Sequence, residues 1–221
     1  KLYYMITLSQ MTEIEASVLN ILNTNAKNIV SEISMRSPRA VGDAIQEFLG
    51  SQNGLKNSIP SSLIKSFESD FARRSMEDMA FLDNDGCYFA IDTKTHNLGT
   101  LFNMPNLISV KRLANFYKND TNFFCIFIVE YRIIDNSIEY TACHFRPIES
   151  FSWDCLTLGA LGWGQIQIAN ANKLIFSESI DRKAWMLKLC EYLEQFYDLE
   201  IDKINNRKLW FSDIKTFWEN K

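Results

Sequence analysis

Pairable cysteines, linker-like composition, long apolar runs and excess positive charge are all missing from this sequence, and each absence narrows the reading. The five cysteines, Cys87, Cys125, Cys143, Cys155 and Cys190, are odd in number and far apart, with no C-x-x-C pair and no histidine at ligand spacing. A disulfide frame and a zinc site are thereby set aside, and a reducing cytoplasm is the expected compartment. Only four prolines and eight glycines occur, with no repeat or low-complexity tract to mark a domain boundary. One domain over residues 1–221 is expected, since single cores commonly run to about 100–200 residues or somewhat more. No apolar run reaches the roughly 18 residues of a membrane helix, and the stretch 123–129 is only strand-sized. A soluble, unexported chain with no membrane partner is the expectation. The net charge of -4 is not that of a protein held mainly by non-specific phosphate contacts, so a nucleic-acid partner would need cations gathered locally.

What is present is core material: 47% apolar residues, with 16 Phe and 5 Trp. Residues 9–34 read as a helix with Ile14, Val18, Ile21 and Leu22 at helical spacing. A second helix is framed by Ser37 as N-cap, Pro38 at its first position and Gly50 at its end, with Val41, Ala44, Ile45, Phe48 and Leu49 as its apolar stripe and Arg39, Asp43 and Glu47 opposite. A third helical segment is expected after Ile59, Pro60 and Ser61. Two apolar runs around Asn84, Asp85 and Gly86 make a β-hairpin. A further helix is expected to open at Pro105 and run through Leu107, Ile108, Val110, Leu113 and Phe116. Strands are expected next at 122–133, through Phe145 and at 164–169, then a helix over 181–204. The order predicts an α/β fold with a central mixed β-sheet flanked by helices.

The hairpin carries the chemistry. Asp92 and Lys94 flank Thr93 at the end of a strand, and the period of two puts both on one face. Asp78 begins the preceding strand, so the hairpin folds it back beside Asp92. Two carboxylates and an ammonium at one sheet edge suit phosphodiester hydrolysis with Mg²⁺. Asp78, Asp92 and the Thr93 carbonyl are the candidate ligands, Lys94 the group that orients or helps deprotonate the attacking water, and Glu47 or Asp43 a candidate to complete the site. A bare D-x-K triplet is weak by itself, since a strand end often carries a solvated ion pair.

The segment around it adds specificity. Ile91-Asp92-Thr93-Lys94-Thr95, with Asp78 fourteen residues before Asp92, resembles the active-site motif of the PD-(D/E)XK nucleases. The stretch C-terminal to Asp92 is similar to the EcoRV and HincII group of restriction endonucleases: D-x-K-T-x-N through Asn97, then Met104-Pro105-Asn106-Leu107-Ile108-Ser109 and Leu113-Ala114. Gln165-Ile166-Gln167 resembles a downstream Gln-x-Gln strand of that group. The likeness covers about residues 76–116 and, more weakly, 160–168, and Glu77 stands where the motif's proline would be.

The resemblance implies a restriction-endonuclease-like fold with N-terminal helices over 9–75, a catalytic core over 76–170 and a helical part over 181–221. It also implies a type II endonuclease that cuts double-stranded DNA at a short palindromic site, with Mg²⁺ as cofactor and a homodimer as the working form. Arg39, Thr95, His96, Asn97, Asn103, Met104, Asn106, Ser109, Gln165 and Gln167 are then candidate DNA contacts, while the simpler expectation for His96 is a surface imidazole. Arg36, Arg73, Arg74, Lys111, Arg112 and Lys118 are the cations expected near the cleft. A repair or other nuclease of the same fold, or a DNA-binding protein without activity, is the alternative.

Overall fold

Alternation along two adjacent strands builds the centre of the molecule. The computed structural model describes residues 6–72, 75–177 and 180–221. Strands β2 (Met79–Asp83) and β3 (Tyr88–Asn97) pair antiparallel from Met79 with Ile91 to Leu82 with Tyr88. Gly86 closes their turn at φ 86°, a conformation that favours glycine. Beyond Ile91, β3 outruns β2 and pairs in parallel with β5 (Asn122–Ile134) as far as Asn97 with Tyr131. β5 turns through Asp135 and Asn136 into antiparallel β6 (Ser137–Pro147), and β1 (Ile64–Glu68) pairs with β2 at the opposite edge. The result is a mixed five-stranded sheet of order β1-β2-β3-β5-β6.

Each face of this sheet has its own apolar layer. Phe81, Phe89, Ile91, Phe127 and Phe145 point to one side and meet Ile14 and Val18 of α1 (Leu8–Thr24) and Ile45 and Leu49 of α3 (Pro38–Gly50). Ala90, Phe124, Ile126 and Ile128 point to the other side. They meet a small antiparallel sheet of β4 (Asn106–Ser109), β7 (Leu156–Gly159) and β8 (Gln165–Ile168), together with α4 (Val110–Phe116) and the start of α5 (Arg182–Glu219). Fully burying one Leu, Ile or Phe contributes about 1.5–3 kcal/mol, so these two layers dominate the stability. Charged ties pin the layers to the sheet. The buried Glu15 of α1 accepts from the Phe145 amide at 2.6 Å and pairs with Arg146, while Arg182 of α5 donates to Glu149 at 2.6 Å. No helix among the described residues is long and apolar enough to cross a membrane.

Three elements differ from the sequence reading, each for a local reason. The first helix stops at Thr24, because the Asn23, Thr24 and Asn25 side chains bond back to the carbonyls of Leu19, Asn20 and Ile21; a four-residue turn of helix, α2 (Ala26–Ile29), comes next. The expected helix after Pro60 is instead strand β1, whose alternation is broken by an irregularity between Ile64 and Ser66. The helix expected from Pro105 begins only at Val110, because Asn106–Ser109 pairs with β8 and carries Ile108 opposite Ile166 into the second core.

Candidate active site

The site forms where β2 ends and β3 continues. The Asp78 amide donates to the Ile91 carbonyl at 2.8 Å, extending the ladder by one step and setting Asp78 at the level of Asp92. Asp78 is then held by both carboxylate oxygens: Oδ1 accepts from Gln46 Nε2 at 2.8 Å, and Oδ2 accepts from the Thr93 amide at 2.7 Å. In a strand the N–H and C=O of one residue point to the same edge. The Thr93 carbonyl therefore lies on the edge that Asp78 closes, away from β5.

Asp92 and Lys94 share the face of β3 that carries Ala90, as a period of two requires. Lys94 Nζ lies 2.8 Å from Asp92 Oδ1 and 2.7 Å from Oδ2, so the ammonium sits against both carboxylate oxygens. Asp92 is only 8% exposed, and its buried Oδ2 has no partner among the described residues besides that ammonium. Burial pushes its carboxyl up to about 7; the Lys94 charge opposes the shift and the Asp78 charge adds to it. Burial also raises the Asp78 carboxyl, against the Thr93 amide and the Lys94 ammonium. Two carboxyls raised by burial, with a single ammonium acting on both, are short of positive charge.

A divalent cation fits that shortage. Among the described residues no three His, Cys, Asp or Glu side chains gather closely enough to form a cage. Asp78, Asp92 and the Thr93 carbonyl would therefore hold only part of the shell, leaving room for water and a phosphate, which is how Mg²⁺ is commonly bound.

No known protein family matches the sequence, and no curated protein does.

The other candidate residues fall into three groups. Glu47 and Asp43 are exposed on the outer face of α3, and Asp43 pairs with the equally exposed Arg39 at 3.9 Å. Their neighbour Gln46 is the residue of this helix that reaches Asp78. Thr95 faces α3 so closely that a Cβ on Gly42 would come within 3.1 Å of its hydroxyl.

His96, expected at the surface, is buried to 1% exposure, because it shares the inward face of β3 with Asp92 and Lys94. Its Nε2 bonds Asn172 Oδ1 at 2.9 Å, and Asn172 Nδ2 donates to the carbonyls of Thr100 and Leu101 at 3.1 and 3.2 Å. Asn97 Oδ1 accepts from the Gly99 amide at 2.9 Å, and the Asn103 carbonyl accepts from Ala171 at 2.8 Å. The segment after the motif is thus fixed from both ends, with Leu101, Phe102 and Met104 exposed on it.

The small sheet presents the third group. Asn106 stands opposite Gln167, which donates to its side chain, and Ser109 stands opposite Gln165, while Ile166 and Ile168 point inward. The alternation read from Gln165-Ile166-Gln167-Ile168 holds. An open groove of about 680 Å³ beside α4 is lined by Met76, Arg112, Lys118 and Asn122, at the Tyr88 end of β3. Lys111 lies 4.5 Å from the exposed Trp163 ring. Arg36 ends a short 3-10 turn before α3. Arg73 and Arg74 lie outside the described residues.

Gln46 and Asn172 were not found by sequence reasoning. Gln46 had a signal: it lies one helical turn after Gly42 and beside Ile45 and Leu49, on the flank of α3 that meets the sheet. Asn172 had none, since its partner is 76 residues away.

Proposed function

We propose that the chain is a Mg²⁺-dependent endonuclease of the restriction type, with a restriction-endonuclease-like fold, that hydrolyses both strands of duplex DNA at a short specific site. The observation that carries this reading is the meeting of Asp78, Asp92 and Lys94 at the open edge of β3, with Asp92 buried beside a single ammonium. A bound Mg²⁺ would supply Lewis acidity to the scissile phosphate and ease deprotonation of the attacking water. Asp92 and Asp78 provide hard anionic oxygens, and the Gln46 and Thr93 donors keep Asp78 aimed at the edge. Lys94 places a cation next to Asp92, where it orients the attacking water and offsets negative charge that builds on the phosphate.

The polar face of Asn106, Gln165 and Gln167 supplies donors and acceptors suited to base edges, and Arg112 and Lys118 supply phosphate contacts. Local cations of this kind reconcile DNA binding with a net charge of -4. Two copies of the chain, one centre for each strand, complete the reaction on a palindromic site. Incubation with phage DNA in Mg²⁺ or in EDTA tests the reading. Discrete fragments that form only with the metal support it; intact DNA under both conditions overturns it.

A further inference from the structure

The second half of α5 leaves the body of the molecule. Trp185 and Leu189 are buried, Trp153 packs against Trp185 and Tyr192, and Tyr197 Oη donates to the Trp163 carbonyl at 2.5 Å. Past Tyr197 no residue of the helix is buried. The free stretch, residues 198–219, is about 33 Å long at 1.5 Å per residue. In proteins most helical stability comes from packing of an amphipathic face rather than from propensity.

This stretch nevertheless carries an apolar face. At about 100° per residue, Ile204, Trp210, Phe211, Ile214, Phe217 and Trp218 fall within one arc of about 140°, which also holds Glu200, Lys203 and Arg207. Trp210, Phe211, Phe217 and Trp218 are 55–63% exposed. The charges are segregated along the same helix. Residues 191–202 contain Glu191, Glu194, Asp198, Glu200 and Asp202 with no Lys or Arg, whereas residues 203–215 contain Lys203, Arg207, Lys208 and Lys215 with the single acid Asp213. Among the described residues Asp198, Asp202, Arg207 and Lys208 have no ion-pair partner within the chain.

We propose that this face of α5 pairs antiparallel with α5 of a second copy of the chain. Antiparallel pairing about Lys203 and Ile204 lays the acidic stretch of each copy on the basic stretch of the other, while a parallel pair would set like charges together. The same register sets Glu200 opposite Arg207 and Phe196 opposite Phe211. A two-fold pair of this kind is closed and self-complementary. It stands on the helix alone and does not depend on the nuclease reading.

Sedimentation equilibrium of the full chain tests it. Wild-type protein is expected at twice the 25.7 kDa chain mass, and Trp210→Glu with Phe211→Glu is expected at the mass of one chain. Glu200→Arg with Asp202→Lys, and separately Arg207→Glu with Lys208→Glu, should each weaken the dimer by more than tenfold, and mixing the two variants should restore it. These four positions lie on the free stretch, so an unchanged thermal unfolding midpoint shows that the body of the variants is folded. A wild type that stays monomeric overturns the proposal, as does a dimer indifferent to all three variants or a mixture that does not reassociate.

Discussion

The Thr93 amide donates to Asp78 Oδ2 at 2.7 Å, which ties the acid that precedes β2 to the middle residue of the Asp92-Thr93-Lys94 triplet. This bond turns two sequence-distant carboxylates into one site. It works because β3 runs on beyond β2, leaving an edge whose amide needs an acceptor and finds one in Asp78.

Gln46 holds the other oxygen of Asp78. Replacing Gln46 with Ala is expected to weaken Mg²⁺ binding by about 10–100-fold, the usual loss when a group that orients a metal ligand is removed. Calorimetric titration with Mg²⁺ checks this. An affinity unchanged from wild type would show that Asp78 does not need its helix partner.

The Asp92 carboxyl is pushed up to about 7, against about 3.9 in an unfolded chain. A raised carboxyl means that the folded state binds the proton more tightly, so this group's contribution is fully present below about pH 4 and is lost as pH rises through about 7. Three pH units correspond to on the order of 4 kcal/mol. Without divalent metal, stability measured by urea unfolding should fall between pH 5 and pH 8, and Asp92→Asn should flatten that slope and be the more stable protein at pH 8. Mg²⁺ should stabilise the wild type more at pH 8 than at pH 5.5, since binding displaces a proton. A wild-type slope that persists in Asp92→Asn would assign it to other groups.

Gly42 brings α3 against Thr95, with 3.1 Å available to a Cβ. Gly42→Val is expected to push the helix outward and to cost about 1–3 kcal/mol, the usual range for overpacking. Activity should fall with it, because Gln46 sits one turn further along the same helix. Thermal unfolding and cleavage rate, measured together, check the coupling.

The buried His96 bonds the exposed Asn172, whose amide also holds the Thr100 and Leu101 carbonyls at the surface. Asn172→Ala leaves the imidazole short of a partner, while water can reach both carbonyls, a loss of about 0.5–1.5 kcal/mol. Hydrogen exchange over residues 98–104 should speed up while exchange in β5 stays slow. Unchanged exchange in the loop would show that other contacts fix it.

Much of the frame was legible because its signals are short-range. The turn at Asn84 to Gly86, the Ser37 and Pro38 start of α3 and the outward Gln165 and Gln167 all arise from local chemistry and period. What could not be read depended on partners distant in sequence. Residues 64–68 become a strand because the free edge of β2 needs pairing, and residues 106–109 do so because β8 lies beside them. His96 is buried by a turn more than 70 residues away, and Gln46 rather than Glu47 meets Asp78 because the helix phase is set by packing on β3.

The central claim is that Asp92 and Lys94 act together on phosphodiesters, and one comparison on a single substrate tests it most directly. Wild type, Asp92→Ala and Lys94→Ala are incubated with the same phage DNA and Mg²⁺ and resolved on a gel, with thermal unfolding confirming that each is folded. Discrete fragments from the wild type and none from either folded variant is the predicted result. Fragments that persist in both variants, or DNA left intact by the wild type, would contradict it.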